Sequence, residues 1–144
     1  MTLICRESIL PYSPEEMFNL VDDIEKYPEF LPWCSSAHVL SRKEDEVRAT
    51  LQLSWHGIEK SFTTCNRTQR NKMIEVRLIS GPFKQLEGFW MFESHEGGCR
   101  VVLNLEFEVA SGLFSFALGP LFSQVATTLV DAFSARAAVV YGSS

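Results

Sequence analysis

Between Val47 and His56 the chain alternates with a period of two. Val47, Ala49, Leu51, Leu53 and Trp55 are apolar, while Arg48, Thr50, Gln52, Ser54 and His56 are polar. Successive side chains on a strand point to opposite faces, so the segment predicts a strand with one face buried. Residues 99 to 109 repeat the pattern, with Cys99, Val101, Leu103, Leu105, Phe107 and Val109 inward and Arg100, Asn104, Glu106 and Glu108 outward. Further strands are expected over 33–42, 58–69 and 73–80, and around Leu86, Gly88, Trp90 and Phe92, which share one face. The charged tip Arg42–Glu46, Gly57, Asn71-Lys72, Gly81-Pro82 and Gly97-Gly98 supply the turns between them. A first strand over 2–10 is ended by Pro11.

The spacing changes twice. After Pro11, Ser13-Pro14-Glu15-Glu16 predicts a helix start: Ser13 caps, Pro14 fits the first turn, and Glu16 closes a capping box. Met17, Val21 and Ile24 form the buried stripe of that short helix, and a second short turn carries Glu25-Lys26-Tyr27. Pro28 and Pro32 bracket a compact extended corner. From about Leu113 to Tyr141, the residues Leu118, Leu121, Phe122, Val125, Ala126, Leu129, Phe133, Ala137 and Val140 recur at offsets of three and four. Such offsets predict a long amphipathic helix. Beyond Val109 its only charges are Asp131 and Arg136, so a broad apolar surface is expected to cover it.

Strand, two short helices, six hairpin-linked strands and a long helix make an α+β chain. The expected architecture is a helix grip: a curved antiparallel sheet of about seven strands wrapped around the C-terminal helix. With 144 residues, one domain spanning 1–144 accounts for the whole pattern.

Composition narrows the chemistry. A net charge of −5 argues against wholesale coating of DNA or RNA. Eleven Phe, three Trp and three Tyr are many bulky groups for one small core. No run approaches the roughly 18 uncharged apolar residues of a membrane span. Arg6 and Glu7 come too early for a secretory signal. The expected location is the cytoplasm, with transient peripheral contact at the inner membrane surface. Cysteines 5, 34, 65 and 99 lack metal-site spacing and read as free thiols.

Three segments carry a resemblance. Tyr27-Pro28-Glu29-Phe30-Leu31-Pro32-Trp33-Cys34, the run from Gly81-Pro82-Phe83 through Gly88-Phe89-Trp90-Met91-Phe92, and Leu129-Val130-Asp131-Ala132-Phe133 with Arg136-Ala137 and Tyr141-Gly142 stand in order along the chain. They resemble the signatures of the coenzyme Q-binding, polyketide cyclase-like branch of the START superfamily. The resemblance implies a binding module and not an enzyme. Some members are described as holding a polyprenyl quinone such as ubiquinone between sheet and helix, in support of respiration. Others are described as binding the large ribosomal subunit and blocking its association with the small one. The motifs are mostly scaffold residues and do not separate the two activities.

For a quinone, Trp33, Phe83, Trp90, Phe92, Phe107, Phe116, Phe122 and Phe133 would supply flat aromatic surface. Leu86, Leu105, Val125 and Leu129 would line a groove for its tail. The same aromatics also suit a solid core; Gly88, opposite bulky neighbours, tips the expectation toward a cavity. Gly81-Pro82-Phe83 and Phe114–Pro120 read either as loops that part for a lipid or touch a membrane, or as a turn and a helix start. Catalysis is not expected, because the inward positions of 47–55 and 99–109 are apolar throughout. His38, His56 and His95 fall on separate strands, so no metal is expected; Asp22-Asp23 and Glu106/Glu108 read as cap and solvated-face residues. Arg67, Arg70 and Lys72 form a basic corner, either a contact for ribosomal or lipid phosphate or a solvated hairpin end.

Overall fold

The computed structural model describes residues 2–112 and 115–142. Strand β1 (Thr2–Leu10) is followed by α1 (Pro14–Asp22) and a 3-10 helix (Ile24–Glu29). Then come β2 (Cys34–Arg42), β3 (Glu46–Trp55), β4 (Ile58–Gln69), β5 (Met73–Ser80), β6 (Phe83–His95), β7 (Gly98–Val109) and the long α2 (Ser115–Tyr141). The seven strands form one antiparallel sheet in the order β1-β7-β6-β5-β4-β3-β2. Six are a meander, and β1 returns to pair with β7, from Thr2 opposite Phe107 to Leu10 opposite Cys99. This is the expected helix-grip arrangement.

Local chemistry accounts for the joints. Ser13 Oγ accepts the Glu16 N–H at 3.1 Å and Glu16 Oε1 accepts the Ser13 N–H at 2.9 Å, closing the capping box. His56 and Gly57 both have positive φ, 47° and 85°, as a two-residue hairpin between right-twisted strands requires. In the corner bracketed by the prolines, the Leu31 N–H donates to Tyr27 O and the Cys34 N–H to Leu31 O. The Tyr27 hydroxyl donates to Val21 O, tying the 3-10 helix to α1.

Helix α2 lies on β1 and β7, with α1 against its C-terminal half. Phe122 packs edge-on against Phe83 and Phe107, each 4.8 Å away between ring centres. Phe133 meets Tyr27, Phe30 and Trp90 at 5.1–5.4 Å. Arg136 donates to Glu29 at 2.9 Å and lies over the Phe30 ring at 5.1 Å. At the end of the helix, the Tyr141 hydroxyl donates to Glu16 O and that of Tyr12 to Gly142 O.

Several expectations are corrected. The sheet covers one face of α2 only, so Gln124, Thr128, Asp131, Ala135 and Val139 stay exposed. Uncharged polar and small apolar side chains tolerate water, so the weak charge of this face did not require burial. By length and hydropathy this helix could cross a bilayer, but Ala126, Phe133 and Ala137 bury a stripe of it in the protein. Val140 is 48% exposed, because the helix is held there by Tyr141 and not by the sheet. Trp55 is 38% exposed: it is the last residue of β3 and packs on His56 at the hairpin. Phe116–Pro120 is helical and not a loop, with Pro120 at the sixth residue of α2. The expected helix start at Leu113, and Phe114, lie outside the described residues.

Candidate functional site

Because α2 sits over β1 and β7, it does not fill the concave face of β3, β4 and β5. The inward residues there include the small or medium Ala49, Thr64, Asn66 and Val76 beside Leu51, Phe62 and Ile74. Trp33, Trp90 of β6, and Phe122 and Phe133 of α2 are the other large side chains of the lining. A cavity of about 90 Å³ remains between sheet and helix. Leu51, Val76 and Leu129 line it while keeping partial exposure, so they mark its mouth. At this size it takes a few waters or the edge of a ring, well short of the roughly 300–1,000 Å³ of small-molecule sites.

Gly88 does not create the space, contrary to expectation. A Cβ there would come within 2.1 Å of Asn104 O and 2.8 Å of Leu105 Cα. Glycine is needed because the backbones of β6 and β7 approach closely there. The hollow comes from where the helix lies and from the short side chains of Ala49, Thr64 and Val76 in its lining.

Of the residues expected to hold a ligand, Trp33, Leu86, Trp90, Leu105, Phe122, Val125, Leu129 and Phe133 line the cavity. Phe83, Phe92 and Phe107 are buried beside it without lining it: Phe83 and Phe107 pack on Phe122, and Phe92 on Phe18 and Trp90. Phe116 is 79% exposed at the start of α2, away from the cavity. Sequence reasoning missed Val21, Ile24 and Tyr27, which the α1 corner carries into the lining, and Phe62, Thr64 and Asn66 of β4. The signal was present, since Phe62, Thr64 and Asn66 share the parity of one strand face.

Thr64 and Asn66 are the polar groups of an apolar wall, 6% and 9% exposed. Thr64 Oγ1 donates to Asn66 Oδ1 at 3.0 Å. No Asp, Glu, His, Lys or Arg is among the described residues lining the cavity. Tyr27 lines it, but its hydroxyl donates to Val21 O, and burial, then the nearby Asp22 charge, hold it far above the usual phenol range. An acid–base pair of the kind that carries cyclisation or hydrolysis is not assembled at this wall.

The three basic candidates separate. Arg67 points to the outer face of the sheet, between Glu46 and Glu75 in the strand register. Arg70 faces a groove of about 750 Å³ between α1 and the β2–β3 turn, shared with Arg42 and Lys43 and with the acids Asp22, Glu44 and Asp45. Lys72 is exposed in the turn before β5. Arg42 bridges to Asp22 at 2.9 Å, yet burial outweighs that bridge and raises the Asp22 carboxyl. Among the described residues no three His, Cys, Asp or Glu side chains gather to hold a metal.

The family described as polyketide cyclase/dehydrase and lipid transport matches residues 10–134. "Ribosome association toxin RatA" of Pseudomonas aeruginosa is 44% identical over 142 residues, covering 98% of this chain and 99% of that protein. "Coenzyme Q-binding protein COQ10 homolog B, mitochondrial" of Xenopus laevis is 28% identical, over 93% of this chain and 57% of that one. A START superfamily protein from Mycobacterium smegmatis superposes with a TM-score of 0.77 at 19% identity, covering 94% of this chain and 96% of its own, and so shares the fold.

Proposed function

This chain belongs to the polyketide cyclase/dehydrase and lipid transport family, and from a cavity whose described lining holds no acid–base pair we propose that it works without catalysis, as a ribosome-association factor. It binds the large ribosomal subunit and hinders joining of the small one, so its action lies on its exterior. The observation that carries this reading is end-to-end similarity at 44% identity to a protein named for ribosome association. The small cavity agrees with it, since a body acting through its surface needs no wide interior.

A second reading, that the cavity takes a polyprenyl quinone or related lipid, is favoured by the apolar hollow under α2 and by the coenzyme Q-binding relative. In that role the domain shields an apolar guest from water and makes or breaks no bond. Sucrose gradients of ribosomes dissociated and then returned to associating conditions, with and without added protein, test the first reading. Free subunits should accumulate in proportion to the protein added; an undiminished 70S peak at stoichiometric excess would overturn it. Organic extraction of the purified protein, with mass spectrometry of the extract, tests the second.

A further inference from the structure

We infer that Thr64 and Asn66 form a headgroup subsite for a carbonyl oxygen carried on the edge of a neutral ring, the ring entering the cavity of about 90 Å³ edge-first between its aromatic walls; this rests on the cavity-ligand reading above. Burial without partners makes polar side chains costly, so inward strand positions are ordinarily apolar. Here two adjacent inward positions of β4 are polar and at least nine-tenths buried. An asparagine amide carries one accepting oxygen and two N–H donors. Thr64 Oγ1 donates to that oxygen at 3.0 Å, and Asn66 is part of the lining, so the amide N–H groups are the donors the pair has to offer a guest. Thr64 is thus the positioning residue, and Asn66 the one that touches the ligand.

The strand geometry is adapted at the same place. Thr63 faces Ser80 and Thr64 faces Leu78, so Ile79 is bulged out of the β4–β5 ladder beside the pair. Bulges next to binding sites commonly re-aim a neighbouring side chain. The rest of the wall selects by exclusion. Without a charged group among the described lining residues, a carboxylate or ammonium head would be buried unpaired. Trp33, Trp90, Phe122 and Phe133 offer flat faces and edges to a ring. Any attached chain would leave through the mouth at Leu51, Val76 and Leu129.

The test compares two probes with one tail: a decyl-substituted dimethoxy-methyl-benzoquinone and decylbenzene, which lacks the oxygens. Quenching of Trp33 and Trp90 fluorescence reads the quinone, and decylbenzene is read by competition. The wild-type chain should prefer the quinone by about tenfold or more, as a hydrogen bond to a buried donor implies. Asn66→Leu should remove the preference and leave decylbenzene affinity unchanged. Thr64→Val, nearly isosteric, should reduce the preference severalfold and guards against a misfolded Leu variant. Equal wild-type binding of both probes, or a preference that survives both substitutions, overturns the subsite and leaves the cavity reading standing. Binding of neither probe by the wild-type chain overturns both.

Discussion

At Gly88 a single hydrogen atom decides whether β6 and β7 can close, because a methyl group there meets the Asn104 carbonyl oxygen and the Leu105 Cα. Backbone cannot swing aside as a flexible side chain can, so Gly88→Ala should cost roughly 2–3 kcal/mol, read as a lower urea midpoint. The residue stood out in the sequence, but its reason did not: a glycine opposite bulky neighbours reads equally as space left open or as backbone brought close. The same limit applied on β4. Phe62, Thr64 and Asn66 share one face of the strand by parity, yet polar types at two of the three positions hid its inward direction. Cysteines illustrate the easier case. Burial pushes the Cys34 and Cys99 thiols from an ordinary 9.0 up to about 11. The unfolded thiols lose their protons first, so their contribution to stability is intact below pH 9 and is lost as pH rises toward 11. Denaturation midpoints between pH 8 and 11 should fall less steeply in Cys99→Ala than in the unsubstituted chain. Iodoacetamide at pH 8 should label exposed Cys5 well ahead of Cys34 or Cys99.

Among the elements, α2 was legible as a helix and illegible as a position. Leu118, Phe122, Val125, Ala126, Phe133 and Ala137 do form its buried stripe. Nothing in their spacing says that the helix lies over β1 and β7, leaving β3–β5 partly uncovered. That placement follows from long-range pairs: Phe133 among Tyr27, Phe30 and Trp90, and Arg136 with Glu29. Phe133 joins the proline-bracketed corner, β6 and α2 at one point, which explains why the segments of the resemblance contain scaffold residues. Phe133→Ala should therefore destabilise the chain by roughly 3–5 kcal/mol. Ser13→Ala should cost only about 1 kcal/mol, because it removes one cap at the start of a short helix. Thermal melts of the two variants order these effects, and a Ser13 loss as large as that of Phe133 would place the docking energy in α1 instead.

For the whole molecule, the question is whether exterior and interior act separately. The exterior prediction follows from the split of the basic corner: Arg70 and Lys43 share a groove, whereas Arg67 stands between two glutamates. Reversing Arg70 and Lys43 together to Glu should weaken ribosome binding by an order of magnitude or more at low salt, because opposed phosphate contacts turn from attractive to repulsive. Arg67→Glu should change it little, and binding on sucrose gradients across a salt series distinguishes them. The interior prediction uses the vacant space directly. Ala49 lies at the cavity wall, 2% exposed, and Ala49→Leu would push an isobutyl group into the hollow of about 90 Å³. In a filled core such a change costs roughly 1–3 kcal/mol, but here the group enters existing space, so the melting temperature should hold or rise. The variant should lose quinone uptake, since the ring and the new side chain require the same volume. If ribosome binding survives in that variant, the two faces of the fold act independently. If it disappears while the fold persists, the occupied cavity sets the shape of the outer surface, and a ligand becomes the regulator of the ribosomal role.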